Sequence, residues 1–502
     1  MKAVVAVDVG TSSARAGLID EHLRVHHIAA HPYRLETPQP GYAEQSPEAI
    51  FAAVLEVVRA CVEARPAGVE IAGVSVDTAM HSFLALDAER RPLTRLWTWA
   101  DMRAARIAAG LARDEAAAQR LYQRTGCPVH AMYYPAKATW LRRYDPETFG
   151  RARWFASIKS YVLMRLTGRL AEDLGIASGS GLLDLAGLRW DPFALDAAGL
   201  APERLPELVE PLEVVGTLVP EVAGALGLGP LPVVAGSADG PLANVGAGCV
   251  RQGDMAITVG TSSAVRMFTG APRTDAGTRT WCYYLGDATW VVGGAINGGA
   301  SSLAWLRDAF PGIAAGAGDA VHAELDRMAA SVPPGSEGLL FAPYLAGERN
   351  PGWQGEARGY MAGISLHHEA RHFVRATMEG IAYQILWVYK AVAEVAGRPE
   401  KIRITGGFVG SPVWTQILAD ALGRTLEVPA EKEGSLVGAA AFGLAALDPG
   451  RDWRRSVGEI PVERRIEPDM ERHARYARGF EAYVALYGAM KPHFSHLLSL
   501  QE

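Results

Sequence analysis

The sequence predicts an α/β protein built from two similar domains with a cleft between them. Its 502 residues are more than one hydrophobic core normally holds. An apolar strand that turns into Gly-Thr-Ser-Ser occurs twice, at Val4–Ser13 and again at Met255–Ser263. The segments around the two copies follow the same outline. We therefore place the domains at residues 1–247 and 248–502.

The first half is predicted to begin with three strands in a hairpin-like arrangement, followed by a helix and a fourth strand. Ser46-Pro47 marks the start of the helix, because serine is a favoured N-cap and proline fits the first helical position. From Ala49 to Ala64 the apolar residues recur at helical spacing. The predicted strands are Val4–Val9, Ala14–Ile19, Val25–Tyr33 and Ile71–Val76.

The second half is predicted to repeat this outline and to end in an amphipathic helix. The predicted strands are Asp254–Val259, Ser263–Met267, Thr289–Gly293, Ile402–Thr405 and Leu426–Val428. The predicted helices are Ser301–Phe310, Ser411–Leu422 and Val437–Leu447. Within the last fifty residues, four aromatic residues at helical spacing indicate a core-facing stripe: Tyr476, Phe480, Tyr483 and Tyr487.

The composition is that of an ordinary globular protein and excludes several classes of partner. A net charge of −6 and a pI near 6.1 give no support for binding to nucleic acid or to a membrane surface. The four cysteines are scattered, which predicts buried thiols rather than a zinc site or disulfides. With no signal-peptide pattern and no membrane-length apolar run, we expect a cytoplasmic protein. The oligomeric state stays open, a homodimer included.

The repeated loops have the chemistry of a phosphate site. Gly10, Thr11, Ser12 and Ser13 offer backbone N–H groups and hydroxyls to an anion, and Gly260 and Thr261 do so in the second copy. Two such loops facing one cleft predict a nucleotide whose phosphates lie between them. The two copies of the motif differ at the position two residues before the glycine.

Asp8 in the first copy stands where the second has Thr258, so only the first loop offers a carboxylate to a metal ion. We expect Asp8 to bind Mg²⁺ through water, because Mg²⁺ gives up its hydration shell reluctantly.

Two further segments could complete a phosphoryl-transfer site. In Val233–Gly240 a buried strand breaks at small residues and presents Asp239, which could act as a general base or simply cap a helix. In Thr405–Trp414 the glycines before a helix would let a flat ring approach the backbone. An ordinary turn explains the second segment equally well.

A polar and aromatic set in the first half suits a substrate pocket. Met80, His81 and Trp99 form one part of it. The segment from His130 through Tyr133 to Lys137 is too polar for a core strand and too aromatic for a solvent loop. Aromatic edges could pack on the carbon chain of a polyhydroxylated acid, while His130 or Lys137 meets its carboxylate.

Taken together, these motifs resemble the FGGY carbohydrate kinases of the actin-like ATPase superfamily over essentially the whole chain. The motifs that carry the resemblance are Asp8–Ser13, Trp99–Arg103, Gly347–Pro351 with Ala357–Gly359, Gly406–Trp414 with Gln416 and Ala419-Asp420, and Gly438–Ala440. The resemblance implies two ribonuclease-H-like domains, with the sugar mainly on the first and ATP mainly on the second.

The resemblance also implies roles for individual residues. Asp239 would be the base that deprotonates the acceptor hydroxyl, and Asp8 would be the position associated with Mg²⁺. Phosphate contacts would come from Thr11, Ser12, Ser13, Gly260 and Thr261, and contacts on the adenosine side from Gly407 and Ser411. The sugar pocket would be lined by Met80, His81, Trp99, Tyr133 and Asp239.

Within the family, two branches compete. Met80-His81 is similar to xylulokinases, although Ser82 follows where they usually have glycine, and Gly240 stands where they commonly have asparagine. The segments Thr125–Leu141 and Ser237–Asn244 resemble the gluconokinase branch. We therefore expect ATP-dependent phosphorylation of the terminal hydroxyl of D-gluconate, with xylulose, ribulose or another polyol as the alternative.

A non-catalytic ATP switch of the actin-like superfamily is a different kind of hypothesis. A switch needs the phosphate loops but no sugar base, so Asp239 and its pocket separate it from an enzyme. A transcriptional regulator is disfavoured, because no helix-turn-helix segment precedes Asp8.

Overall fold

Two β-sheets, one in each half of the chain, form the framework of the protein. The computed structural model describes residues 1–310, 313, 319–458 and 460–500. Within that part of the chain, no helix is long and apolar enough to cross a membrane. All four cysteines are free and buried, as the sequence predicted.

The first half contains fourteen strands, of which six form its main sheet. The strands are β1 (Lys2–Val9), β2 (Ser13–Asp20), β3 (Val25–Pro32), β4 (Glu44–Gln45), β5 (Glu70–Thr78), β6 (Leu84–Leu86), β7 (Leu96–Trp97), β8 (Trp154–Ala156), β9 (Ala171–Asp173), β10 (Leu183–Asp184), β11 (Arg189–Trp190), β12 (Glu207–Val209), β13 (Val214–Thr217) and β14 (Pro232–Val234). The helices are α1 (Pro47–Glu63), α2 (Ala105–Ala112), α3 (Glu115–Thr125), α4 (Tyr134–Tyr144), α5 (Pro146–Arg151), α6 (Ile158–Thr167), α7 (Leu174–Ser178), α8 (Pro192–Ala198), α9 (Pro220–Ala225) and α10 (Asp239–Gly246).

The second half contains nine strands and eight helices among the described residues. The strands are β15 (Asp254–Val259), β16 (Ser263–Thr269), β17 (Trp281–Gly286), β18 (Thr289–Ile296), β19 (Leu340–Ala342), β20 (Tyr360–Ala362), β21 (Lys401–Thr405), β22 (Leu426–Pro429) and β23 (Val462–Ile466). The helices are α11 (Ala300–Ala309), α12 (Asp319–Ala330), α13 (Ala370–Ala396), α14 (Pro412–Leu422), α15 (Gly434–Leu447), α16 (Trp453–Gly458), α17 (Met470–Met490) and α18 (Phe494–Ser499).

The two main sheets share a topology. The first has the order β13-β14-β5-β1-β2-β3, with β1 antiparallel to β2 and parallel to β5. The second has the order β17-β18-β16-β15-β21-β22-β23, with β15 antiparallel to β16 and parallel to β21. Each half therefore begins with an antiparallel pair whose first strand also runs parallel to a later strand. This confirms the predicted fold class of two similar α/β domains.

Helix α15 lies against the first sheet although it comes late in the chain. It packs on β1, β5 and α10, while α1 packs on the opposite face of the first sheet. The crossing with α10 is close, because Gly246 lies against the backbone of Gly434 and Gly438 lies against Leu242. A Cβ at Gly246 or Gly438 would overlap the partner backbone, so glycine is required at both positions.

The secondary structure predicted from the sequence is confirmed with small changes in the ends of elements. The aromatic stripe of α17 is buried, as predicted. The sequence analysis did not identify β17 or the 27-residue helix α13. The boundary between residues 247 and 248 stays a prediction, and the packing of α15 on the first sheet shows that the two halves are interleaved.

Candidate active site

In the first domain, three predicted site segments follow three neighbouring parallel strands. The Gly10 loop follows β1, Met80 and His81 follow β5, and Asp239 follows β14. Because parallel strands end at the same edge of a sheet, the topology brings these segments together. The bridge between Thr78 and Ala238 fixes Asp239 beside the end of β5.

The second domain repeats this arrangement. The Gly260 loop follows β15 and the segment that begins at Gly406 follows β21, its parallel neighbour. Gly406 has a φ of 99° and lies against the backbone of Val259, so the two segments are in contact. Gly407 next to it has open space where a side chain would be, which leaves room for a flat ring.

A cavity of about 260 Å³ lies between the two domains and collects residues from both. Of the sequence-predicted residues, Thr11, Met80, His81, Trp99 and Asp239 line it. The second domain contributes Ser262 from its phosphate loop, as well as residues that the sequence analysis had not placed in the site. These are Arg266, Trp281, Tyr283, Arg349, Asn350 and Trp353.

Both phosphate loops are closed by a backbone hydrogen bond from their glycine. Gly10 N–H donates to Ser13 O at 3.1 Å, and Gly260 N–H donates to Ser262 O at 2.9 Å. Ser12 and Thr261 are exposed at the tips of the two loops. The two tips therefore leave hydroxyl groups accessible, as a polyphosphate site requires.

Side chains of the first domain fix the position of Thr11. The Trp99 indole N–H donates to Thr11 Oγ1 at 2.9 Å, and Gln45 Nε2 donates to Thr11 O at 2.7 Å. Trp99 thus lines the cavity and also orients the phosphate loop. A bound acceptor that contacts Trp99 would be coupled to the phosphate loop through this hydrogen bond.

Asp8 is paired with Asp77 across β1 and β5, and the corresponding pair in the second domain is Thr258 with Thr405. The two threonine hydroxyls hydrogen-bond to each other at 3.0 Å. By contrast, Asp8 Oδ1 and both carboxyl oxygens of Asp77 are buried without a hydrogen-bond partner among the described residues. Burial and the nearby carboxylates of Asp8 and Asp239 raise the pKa of Asp77 well above its usual value. Such a pair calls for a proton or a cation.

These residues fit a hydrated divalent cation. Asp8 Oδ2 accepts a hydrogen bond from Ser435 Oγ at 2.8 Å, which leaves Oδ1 for another ligand. The described residues contain no cluster of three or more His, Cys, Asp or Glu side chains that could hold a metal. An ion here would therefore have one or two carboxylate ligands, the pattern typical of Mg²⁺ bound with phosphates and water.

Asp239 begins α10 and faces the cavity. The N-cap of this helix is Ala238, and Asp239 Oδ1 accepts a hydrogen bond from the N–H of Gly240 at 2.6 Å. Burial, together with the Asp8 carboxylate, raises the pKa of Asp239 to about 6, while Arg266 and the Gly240 N–H oppose the shift. A general base works best with a pKa near the working pH, and Asp239 has this property.

His81 presents a hydrogen-bond acceptor to the cavity. Its Nδ1 donates to Gly179 O at 2.7 Å, so the proton lies on Nδ1 and Nε2 carries a lone pair. Burial lowers the pKa of His81 to about 3, which keeps the ring neutral. Its φ of 65° is rare outside glycine and reflects a turn held in place by its neighbours.

Lys137 lies behind the cavity and is not among the residues that line it. It is fully buried and donates to His81 O at 2.6 Å and to Thr98 O at 2.9 Å. Burial lowers its pKa to about 7. Lys137 thus ties the two loops that carry His81 and Trp99, and a contact with a substrate carboxylate stays a prediction.

His130 and Tyr133 lie one layer behind the cavity wall. The ring of His130 packs on Trp353 with a centroid distance of 5.5 Å, and Nδ1 accepts a hydrogen bond from Met132 N–H. The Tyr133 hydroxyl is 2.7 Å from that of Tyr283, which lines the cavity. Both residues therefore support the wall, and any contact with an acceptor stays a prediction.

Ser411 caps α14 on the nucleotide side of the second domain. Its Oγ accepts a hydrogen bond from Trp414 N–H at 3.0 Å and donates to Asp326 Oδ1 at 2.5 Å. The hydroxyl proton is thus donated within the protein, and one acceptor position is used as well. A contact of Ser411 or Gly407 with adenosine stays a prediction.

The two arginines are the main addition that the structure makes to the site. Arg349 donates to Ile296 O at 3.3 Å and lies 5.1 Å from the Trp99 ring, whereas Arg266 projects from β16. One signal in the sequence could have revealed Arg266. It shares a strand face with Ala264 and stands as a charge within the apolar run Ala264–Phe268.

Comparison with known proteins agrees with this architecture. Residues 3–246 match the N-terminal domain of the FGGY family of carbohydrate kinases, and residues 255–447 match the C-terminal domain. A gluconokinase of Bacillus subtilis is 37% identical over 449 residues, covering 88% of this chain and 87% of the relative. A gluconokinase of Bacillus licheniformis is 34% identical over 504 residues, covering 99% of this chain and 98% of the relative.

Solved structures give the same picture at lower sequence identity. A gluconate kinase from Lactobacillus acidophilus superimposes with a TM-score of 0.93 at 28% identity, covering 99% of both chains. A ligand-bound xylulose kinase from the same organism has the same TM-score and identity and covers 99% of this chain and 100% of its own. The fold alone therefore does not distinguish the two acceptors.

Proposed function

The chain belongs to the FGGY family of carbohydrate kinases, and from this premise we propose that it transfers the γ-phosphoryl group of ATP to the terminal hydroxyl of D-gluconate, giving 6-phospho-D-gluconate. The observation that carries the proposal is the cavity between the domains. It brings Thr11 and Ser262 of the two phosphate loops to the same small volume as Asp239. A non-catalytic ATP switch would have no need of that carboxylate.

In the proposed reaction, Asp239 accepts the proton of the terminal hydroxyl as its oxygen attacks the γ-phosphorus. The bond between that phosphorus and the oxygen bridging it to the β-phosphate breaks, and ADP leaves. The loops at Gly10–Ser13 and Gly260–Thr261 hold the phosphates, a role supported by the exposure of Ser12 and Thr261 and by the position of Thr11 and Ser262 at the cavity. Gly407 and Ser411 are proposed to contact adenosine, which the open space beside Gly407 supports.

Asp8 is proposed to hold Mg²⁺ with the phosphates of ATP. When bound, the ion would neutralise phosphate charge and orient the phosphate chain for in-line transfer. The residues contribute the site itself. Asp8 offers its free Oδ1, and Ser435 of the second domain fixes the other oxygen.

The choice of an acid as acceptor is supported by the charge of the cavity. Two guanidinium groups, Arg266 and Arg349, line it against one carboxylate, Asp239. Neither arginine has an ion-pair partner among the described residues. His81 and Trp99 offer a hydroxyl contact and an apolar surface for the carbon chain.

D-Gluconate is expected to exceed every neutral acceptor in kcat/KM by at least about tenfold, because a charge-assisted contact discriminates more strongly than a hydroxyl contact. The measurement is ADP release with Mg-ATP on D-gluconate, D-xylulose, D-ribulose, L-ribulose and glycerol. Reactions without acceptor give the ATP hydrolysis background. Equal rates on all acceptors would contradict the proposal. So would a rate of ADP release that no acceptor raises above the ATP hydrolysis background.

D-Xylulose is the second candidate acceptor. Met80 and His81, the pair that resembles xylulokinases, both line the cavity. In this alternative the fold, the phosphate loops and Asp239 keep their roles, and the arginines bind hydroxyls instead. A preference for D-xylulose over D-gluconate in the same assay would favour this candidate.

The pH dependence of kcat/KM is expected to show a loss of activity as the pH falls through about 6. Asp239, whose pKa burial and Asp8 raise to about 6, is then protonated and cannot accept another proton. His81 and His130, whose pKa values burial lowers to about 3 and about 4, stay neutral over this range. A profile that is flat down to pH 5 would contradict the assignment of the base.

A further inference from the structure

Arg266 is a cation in the cavity whose side chain makes no hydrogen bond or ion pair with the rest of the described chain. It is half-buried, and burial lowers its pKa. The guanidinium therefore loses part of its hydration, and no protein partner offsets the cost in free energy. A guanidinium offers five N–H donors in a planar fork, which matches a carboxylate. Arg266 therefore has the chemistry of a receptor for an anionic ligand.

Gly240 makes the seat in which this guanidinium lies. A Cβ at Gly240 would be 2.7 Å from Arg266 Nη2 and 3.0 Å from both Nε and Cζ. Three atoms at nearly equal distance mean that the guanidinium lies flat over the glycine. Any larger residue would displace it, so Gly240 and Arg266 form one feature.

The position of Arg266 separates it from the phosphates. It is three residues beyond Ser263 on an extended strand, about 10 Å from the loop that ends there. Arg266 also packs on Gly240, the residue that follows Asp239 in the sequence. The charges of Arg266 and Asp239 attract each other, although the two side chains form no hydrogen bond. An acceptor whose reactive hydroxyl is at Asp239 can thus reach Arg266 with another group.

Arg349 is less suited to this task. One of its nitrogens already donates to Ile296 O, and its guanidinium packs over Trp99. Arg349 and Arg266 both lie near Tyr283, so the two charges favour an anion between them. Of the two, Arg266 has its donors free.

We propose that Arg266, seated on Gly240, binds the carboxylate of the acceptor and is the residue by which the protein selects a sugar acid over a neutral polyol. This inference rests on the proposed function and extends it by naming the residue that recognises the carboxylate of the acceptor. The phosphate loops and Asp239 would act alike on any acceptor.

The test compares D-gluconate with D-glucitol, which has a neutral CH₂OH in place of the carboxylate. In Arg266→Gln, kcat/KM for D-gluconate is expected to fall about 100-fold, because a carboxylate loses its charge-assisted partner. The loss for D-glucitol is expected to be at least about tenfold smaller, since a neutral hydroxyl group gains less from the positive charge than a carboxylate does. Arg266→Lys should recover part of the loss, because an ammonium keeps the charge without the planar fork.

A second variant tests the seat without touching the arginine. Gly240→Ala places a Cβ where the guanidinium lies, and we expect a loss of about tenfold for D-gluconate with little change for D-glucitol. The control is Arg251→Gln, which removes an exposed arginine of the same domain. Calorimetric titration with each acceptor in the absence of ATP measures binding directly, and thermal unfolding reports the fold of each variant.

The outcomes separate this inference from the function on which it rests. If the wild-type protein prefers D-gluconate and Arg266→Gln retains that preference, Arg266 does not bind the carboxylate and the inference fails. If the wild-type protein shows no preference for D-gluconate over D-glucitol, the proposed acceptor itself is wrong. If the preference collapses in Arg266→Gln while D-glucitol turnover persists, both are supported.

Discussion

Replacing Asp239 with asparagine is expected to lower kcat by about 10³- to 10⁴-fold, the contribution of a general base. Asparagine has nearly the same shape and keeps an oxygen for the N–H of Gly240, so the start of α10 is preserved. It cannot accept the proton of the acceptor hydroxyl. The affinity for ATP should not change, because Asp239 is not part of either phosphate loop.

The measurement is single-turnover phosphorylation of D-gluconate together with ATP binding by calorimetry. A matched control is Glu172→Gln, which removes a buried carboxyl of the same domain that hydrogen-bonds to Ser157 and Ser160 away from the cavity. We expect this variant to keep most of its kcat. Near-normal turnover in Asp239→Asn would show that another group takes the proton.

Replacing Asp8 with asparagine is expected to raise the Mg²⁺ concentration for half-maximal activity at least about tenfold and to lower kcat about 100-fold. The reason is that the site offers an ion only one or two carboxylates, so each contributes a large share of the binding. Asp8 is buried, and its Oδ1 has no hydrogen-bond partner among the described side chains. Titration of activity with Mg²⁺ at a fixed ATP concentration measures the effect.

The control for Asp8 is Ser435→Ala. This variant removes the hydrogen bond to Asp8 Oδ2 but leaves the carboxylate in place. Its Mg²⁺ titration should shift less than that of Asp8→Asn, since Ser435 only orients the carboxylate that would bind the ion. An unchanged titration in Asp8→Asn would remove Asp8 from the metal site.

Much of the fold could be predicted because its signals are local. Strands β1 and β15 are short apolar runs followed by glycine, and the caps of α1 and α14 are serine followed by proline. Strand β17 was missed because Trp281–Gly286 is buried on both faces and shows no alternation. Helix α13 was missed because buried polar residues, such as Arg375 paired with Glu379, interrupt its apolar pattern.

The site was predictable where functional residues lie near the ends of strands. It was less predictable where a residue's role depends on the direction in which its side chain points. Asp8 lies near the end of β1, the two loops follow β1 and β15, and Asp239 follows β14 after a short turn, so the topology brings them together without further information. Lys137 has the right charge, but its ammonium points back to two carbonyls, which no local pattern reveals. Arg266 lines the cavity because β16, which follows the Gly260 loop in the second domain, folds back antiparallel to β15.

The packing of α15 on the first sheet limits how far the first half can fold while the chain is being synthesised. The sheet that carries Asp8 is made early, but one of its faces is covered by a helix that begins at Gly434. Roughly 190 residues separate the end of α10 from that helix. At a synthesis rate of about 5–20 residues per second, the nascent first half waits on the ribosome for about 10–40 s with an apolar face uncovered. The hydrogen bond from Ser435 to Asp8 can therefore form only when the chain is nearly complete.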